Sequence, residues 1–304
     1  MSQDLDARAD SPSSTARDEL NVTDAVPSTT TAKAAARRDE ATLPYAKPLL
    51  DKVLREEADF ANRDYAPYAS ELDINPSMFR EYAAPSEMYD WRQMAAVLLG
   101  DLAGKELLDY GCGMGEESVY FAKLGARVTS IDISEVGIAT LKKRAEYHKL
   151  DIRAFEMRCD PTSFPASSFD RIHGMGILHH LDIDSALAEV WRLLRPGGIG
   201  VFLEPLGDNR AVEAVKKLLV KRARFLAEFD PATEHEHNLT WKEVEAATRR
   251  FSRVVTYPYH LLYRLKRFVP RSMWDAVRRF DHGLLSMAPG LRRYAGAVVI
   301  QVVK

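Results

Sequence analysis

Cysteine is almost missing from this 304-residue chain. The two present, Cys112 and Cys159, are too few for a disulfide framework and stand in no metal-ligand spacing, which points to a reducing, cytoplasmic setting without a bound metal. Long apolar runs are missing too. None approaches the roughly 18 residues of a transmembrane helix, so no membrane span is expected. Charge of one sign is not in excess: 42 Lys and Arg stand against 44 Asp and Glu, and a net charge of −2 gives no global reason to expect a nucleic-acid partner. The first 40 residues lack any aromatic side chain and are dominated by Ser, Thr, Ala, Asp and Arg. Such a segment cannot bury enough apolar surface to offset its ordering entropy, and 1–43 is expected to be a disordered tail. It has no apolar signal-peptide core, and Asp4, Asp6 and Asp10 argue against an organellar transit peptide.

What is present is organised around residues 105–134, KELLDYGCGMGEESVYFAKLGARVTSIDIS. Leu107 and Leu108 form a short apolar run ending at Asp109. Gly111, Gly113 and Gly115 follow at alternate positions, where a missing Cβ permits positive φ and a close backbone approach to a ligand. Val119, Phe121, Ala122 and Leu124 give the next segment an apolar helical face, Gly125 stops it, and a β-branched strand runs to Asp132. The unit is a nucleotide-binding βαβ with an acid about 20 residues past its turn, placed to accept from a ribose. A dinucleotide fingerprint wants its third glycine where this chain has Glu116, followed by Glu117. Two carboxylates at a helix N-terminus oppose a pyrophosphate, whereas a ligand with a sulfonium and an ammonium group suits them.

DYGCGMG and the acid at Asp132 resemble the first motif and the ribose-binding acid of the class I S-adenosylmethionine-dependent methyltransferases of small-molecule type. The resemblance runs from about Leu107 to Leu203. It implies S-adenosylmethionine as cofactor, S-adenosylhomocysteine as product, and cofactor contacts from Asp109, Gly111, Cys112, Gly113, Gly115, Asp132 and Ile133. It also implies that Asp160, beside Pro161 after the third strand, accepts from the adenine amine. A carboxylate is an acceptor and an exocyclic amine a donor, so the chemistry agrees.

The fourth strand, RIHGMGILHHL, matches the family motif whose small residues, here Gly174, lie against the methionine part of the cofactor. His179 and His180 follow at the carboxyl edge where open α/β sheets place ligands, and either is a candidate base, as is Glu204 after the fifth strand. The segment lacks the Asn or Asp, paired prolines and aromatic residue that hold a flipped nucleobase, so base modification is not expected.

Residues 44–100 read as an N-terminal helical lid, with helical spacing in 48–62 and 88–99 and Tyr65, Tyr68 and Tyr82 between or beside them as candidate substrate contacts. RPGG at 195–198 is expected to stop a helix before a strand at 199–203. Helical insertions are expected at about 208–250 and 262–293, and strands at 252–259 and 295–303. Between Arg210 and Arg293 there are 18 Lys and Arg against 9 Asp and Glu, a surface compatible with an anionic substrate, with peripheral membrane contact or with ordinary solvated helices. His235 and His237 are candidate substrate contacts on a loop, without metal-site spacing.

The expected architecture is therefore a Rossmann-like doubly wound α/β domain over 101–304, with seven strands of which the last is antiparallel, beneath a helical lid. The expected activity is methyl transfer to a small-molecule acceptor, first to oxygen in a biosynthetic pathway. Two alternatives stay open: carbon methylation of an isoprenoid or other electron-rich carbon, and a non-catalytic cofactor-binding or partner-activating subunit. A homo-oligomer is compatible with either.

Overall fold

A computed structural model describes residues 47–74, 91–207, 238–261 and 270–304. The expected tail at 1–43, Tyr82, His235 and His237 lie outside these residues, as do 208–237 and 262–269 of the expected insertions.

Seven strands form one sheet: β1 (Glu106–Tyr110), β2 (Arg127–Asp132), β3 (Ile152–Glu156), β4 (Phe169–Met175), β5 (Leu194–Pro205), β6 (Arg253–Tyr259) and β7 (Ala297–Val303). Their order is β3-β2-β1-β4-β5-β7-β6. All neighbours among β1 to β5 run parallel, and β7 is antiparallel to both β5 and β6. The chain winds outward from β1 to β3 and then returns to β4 on the other side of β1, so the crevice beyond the carboxyl ends of β1 and β4 is the topological switch point at which such sheets bind ligands.

Alternation along the strands divides the core between the two faces of the sheet. Leu108, Tyr110, Ile172, Phe202 and Ile300 pack on one side, with Leu187 and Val190 of α5 (Ile183–Leu193) and Val244 of α6 (Trp241–Thr248). Leu107, Val128, Val201, Leu203 and Val299 pack on the other, with Phe121 of α3 (Glu116–Lys123) and Leu99 of α2 (Trp91–Leu99). Burial on both faces explains why β5 and β7 read as continuous apolar runs rather than alternating ones.

Helix starts follow local chemistry. Ser134 caps α4 (Glu135–Tyr147) by accepting from Gly137 N at 2.9 Å, Asp182 caps α5 by accepting from Ser185 N at 2.8 Å, and Thr240 with Glu243 closes a capping box on α6. The RPGG stretch differs from expectation. Leu194 already pairs with Phe169, the chain bulges through Arg195–Gly198, and pairing resumes at Ile199 with Arg171. Gly197 at φ 75° takes the left-handed turn, and its N–H donates to the Lys304 carbonyl at 3.1 Å, so the strand begins before the turn instead of after it. Two further helices complete the described chain, α1 (Lys47–Tyr65) ahead of the sheet and α7 (Trp274–Met287) between β6 and β7.

Candidate active site

The glycine turn after β1 is held by acceptors at the end of β2 and by one bond of its own. The N–H groups of Gly111 and Cys112 donate to the Ile131 carbonyl at 3.0 and 2.9 Å, that of Gly115 to the Cys112 carbonyl at 2.8 Å, and that of Gly113 to Asp132 Oδ2 at 2.7 Å. Four N–H groups that would cradle a pyrophosphate are thereby committed inside the protein. At Gly111 the φ is +75°, and an added Cβ would stand 2.5 Å from Ile177 Cγ1, so the bare backbone is what lets the turn after β4 close on the turn after β1.

Two carboxylates lie beneath this turn. Asp132 is 6% exposed; its Oδ1 accepts from Ser134 N at 2.8 Å while Oδ2 holds Gly113. Burial raises its pKa, and those two backbone donors oppose the rise without cancelling it. Each oxygen keeps acceptor capacity, which suits a pair of neighbouring hydroxyls. Asp109 is 2% exposed and accepts from Ser118 Oγ, which in turn accepts from Ser130 Oγ at 2.9 Å. Its other oxygen lies 3.0 Å from His173 Nδ1, and with the carboxylate accepting, that nitrogen carries the proton. His173 is itself buried, edge-on to Phe121 at 4.8 Å between centroids.

Helix α1 closes the other side. Asn62 Oδ1 accepts from Ser134 Oγ at 2.6 Å and from Val136 N at 3.1 Å, so a side chain of α1 completes the N-terminus of the helix that follows the Asp132 strand. Tyr65 faces the Gly113 turn: a Cβ there would meet its hydroxyl oxygen at 3.1 Å. Burial, and next the Asp132 carboxylate, raise the tyrosine pKa, keeping the phenol neutral. Arg144, 1% exposed, reaches from α4 to the carbonyls of Glu71 at 2.9 Å and Met114 at 3.0 Å, joining the segment after α1 to the glycine turn.

Between α1 and the strand ends lies a cavity of about 450 Å³. Its lining is acidic, with Glu57, Asp64, Asp109, Glu116, Glu117 and Asp132 against one arginine, Arg158. An apolar wall adjoins it, formed by Leu54, Phe60, Met175, Ile177 and Leu181. His180 also lines the cavity, and its Nδ1 stands 3.2 Å from Glu57 Oε2 on α1.

The sequence-predicted residues divide accordingly. Asp109, Gly111, Cys112, Gly113, Gly115, Asp132, Ile133, Tyr65 and His180 all line this cavity. His179 and Glu204 do not. Glu204 is fully buried; one carboxylate oxygen accepts from the N–H groups of Ile177 and Leu178 at 3.0 and 2.8 Å, and the other lies 2.9 Å from His179 Nδ1. It shapes the turn that carries His180. Gly174 is buried between Phe202 and Ile177, Pro161 is exposed, and Tyr68 is 50% exposed. Asp160 lies 3.9 Å from the cavity-lining Arg158, and burial pushes its carboxyl up to about 6. Cys112 and Cys159 are buried, which raises both thiols. Glu57, Asn62 and His173 were missed by sequence reasoning. Among the described residues, no three His, Cys, Asp or Glu gather as metal ligands, and no helix is long and apolar enough to cross a membrane.

The donor set fits an adenosyl sulfonium ligand: carboxylates for hydroxyls and positive centres, and a turn in which the N–H groups of Gly111, Cys112, Gly113 and Gly115 are committed within the protein. Comparison with known proteins agrees. A family model described as a methyltransferase domain matches residues 107–198. The ubiquinone biosynthesis O-methyltransferase of Xanthomonas oryzae pv. oryzae is 35% identical over 150 residues, which cover 48% of this chain and 61% of that protein. The chain thus spans about three fifths of that relative's length. The demethylmenaquinone methyltransferase of Tropheryma whipplei is 31% identical over 163 residues, covering 51% of this chain and 67% of that protein. Among solved structures, a phosphoethanolamine N-methyltransferase of Haemonchus contortus, in complex with S-adenosylhomocysteine, aligns at a TM-score of 0.51 and 19% identity over 81% of this chain and 59% of that one, a likeness of fold.

Proposed function

Because the chain belongs to the class I S-adenosylmethionine-dependent methyltransferase family, we propose that it methylates a hydroxyl oxygen of a small, largely apolar aromatic acceptor in a biosynthetic pathway. Two relatives carry names from ubiquinone biosynthesis and from demethylmenaquinone methylation, and the wall of Leu54, Phe60, Met175, Ile177 and Leu181 suits a ring of that kind. Six carboxylates against one arginine disfavour a phosphodiester backbone.

The residues divide the work. Asp132, fixed by Gly113 N and Ser134 N, accepts from the ribose hydroxyls, and Asp109, fixed by His173 and Ser118, holds the amino end. Asp160, in the loop after β3 and 3.9 Å from the cavity-lining Arg158, takes the adenine side. S-adenosylmethionine, when bound there, supplies a methyl group on a positively charged sulfur that departs as a neutral thioether. The protein's own contribution is alignment of two partners and exclusion of water by α1, together with removal of the acceptor's proton.

The observation that supports the oxygen reading is the cavity-lining His180, whose Nδ1 stands 3.2 Å from Glu57 Oε2: an imidazole there can take the hydroxyl proton, and the nearby carboxylate stabilises the imidazolium. The test is His180→Gln, assayed with labelled methyl donor and catechol-type acceptors. Turnover should fall by about two to four orders of magnitude and lose its ascending acid limb, with S-adenosylmethionine affinity by calorimetry unchanged. An unaltered rate and pH profile would refute proton abstraction by this residue.

A further inference from the structure

Outside the cavity, the largest anomaly in burial is on α7. Met273, just before the helix, and Phe280 and Met287 within it are 49%, 63% and 87% exposed. They recur every seven residues, a spacing that drifts only about 20° per repeat on a helix and so draws a single stripe. Ala276 and Gly283 fall between them, and a Cβ added at Gly283 would meet nothing within 4 Å. The opposite face is already spent on the fold: Leu285 is buried, and Asp281, also buried, accepts from Leu261 N at 3.0 Å. Apolar surface therefore extends beyond what packing onto β6 uses. Cations flank it, Arg279 on the helix and Arg292 and Arg293 just after it, all exposed.

We propose that this outer face of α7 docks on an anionic lipid bilayer. An exposed apolar stripe flanked by arginines is the profile of a helix lying in a membrane interface, where methionine and phenylalanine enter the acyl boundary and the guanidinium groups meet lipid phosphates. A second copy of the chain is the poorer occupant, because two such faces would bring like charges together. Placement supports the lipid. The Asp281 to Leu261 bond fixes mid-α7 just past the carboxyl end of β6, and β6 runs parallel to β5, so the stripe belongs to the sheet edge that carries the cavity. Three strand spacings, about 14 Å, separate β6 from β4 in the sheet. An apolar acceptor dissolved in the bilayer would have a short path to the site.

The proposal rests on exposed surface and not on methyl transfer, and its test reads no activity. The 304-residue chain is sedimented with phosphatidylcholine vesicles with and without phosphatidylglycerol. Binding is expected only with the anionic lipid. It should weaken at least ten-fold in the double variant Phe280→Ser with Met287→Ser, whose sites are exposed enough to leave folding intact by circular dichroism. Arg279→Glu and Arg292→Glu should each cost at least about five-fold. No binding to anionic vesicles by the folded wild type overturns the proposal, as does binding that all these variants retain. A concentration-dependent dimer that the double variant abolishes would assign the face to a second copy instead.

Discussion

Replacing Asp160 by asparagine should make the protein more stable, and only above mildly acidic pH. Burial, reinforced by Asp182 and Glu189, outweighs the attraction of Arg158 and pushes this carboxyl up from 3.8 to about 6. A carboxyl raised in this way holds its proton more tightly in the native chain than in the unfolded one. Below about pH 4 both states are protonated and the site costs nothing. As pH rises from about 4 to about 6 the unfolded chain releases its proton first, so stability falls across that window and the full cost remains above it. The displacement corresponds to about 3 kcal/mol. The side chain is 15% exposed, and solvent screening leaves about 2 kcal/mol of it.

Asp160→Asn keeps the shape of the protonated acid and removes that cost. At pH 7 its melting temperature should exceed that of the wild type by about 4–8 °C, and at pH 4 most of that gain should be gone. Calorimetric scans at both pH values decide the matter. A gain of equal size at both, or a loss at pH 7, would refute the burial argument. The adenine role makes a separate demand: asparagine offers a neutral acceptor in place of a charged one, so S-adenosylmethionine affinity should drop by about ten-fold even as stability rises.

Two further substitutions probe the turns that frame the cavity. Gly111→Ala must adopt a φ of +75° and place a Cβ 2.5 Å from Ile177 Cγ1, which should cost about 2–4 kcal/mol in urea unfolding; a cost under about 0.5 kcal/mol would mean that the turns do not interlock. Glu204→Ala leaves the buried N–H groups of Ile177 and Leu178 without their acceptor and should lose about 3–5 kcal/mol, while Glu204→Gln, which keeps a carbonyl oxygen there, should lose much less and retain turnover. A Glu204→Gln variant as inactive as Glu204→Ala would instead argue that the carboxylate meets the acceptor.

The parts of the site that could be read from the sequence are those whose chemistry is written in contiguous residues. From Leu107 to Asp132, strand, turn, helix and strand each announce themselves by periodicity or by glycine, and the turn's missing Cβ atoms have a local meaning. The lid was different. Helical spacing located α1 but says nothing of which polar residue faces what. Asn62 meets Ser134 at a separation of 72 residues and His173 meets Asp109 at 64, and no pattern along the chain encodes such a pairing. Tyr65, Tyr68 and Tyr82 are the candidate substrate contacts that the sequence offers in this segment. Of the two in the described residues, Tyr65 lies at the glycine turn and Tyr68 is half exposed, while Glu57 supplies the polar contact. Glu204 was drawn to the site by its position at a strand end, a criterion that fixes an edge of the sheet but not the direction of a side chain.

The acids explain why this edge must carry a ligand. Asp132 and Asp160 both sit where burial raises their carboxyls, and Asp109, Glu117 and Glu57 line the same cavity as Asp132. A fold selected for stability alone would have replaced several of them, since an uncompensated buried charge costs more than the apolar side chain that could fill its place. Backbone donors from Gly113 and Ser134, and the imidazole of His173, hold these carboxylates in place without neutralising the set. The missing compensation is positive charge, and a ligand with an ammonium and a sulfonium centre brings it. Pyrophosphate would add to the repulsion at a turn where the N–H groups of Gly111, Cys112, Gly113 and Gly115 already have acceptors. The same balance accounts for the place of α1: Asn62 ties it to the N-terminus of α4, beside the glycine turn, so that the helix bordering the acids also carries Glu57, 3.2 Å from His180.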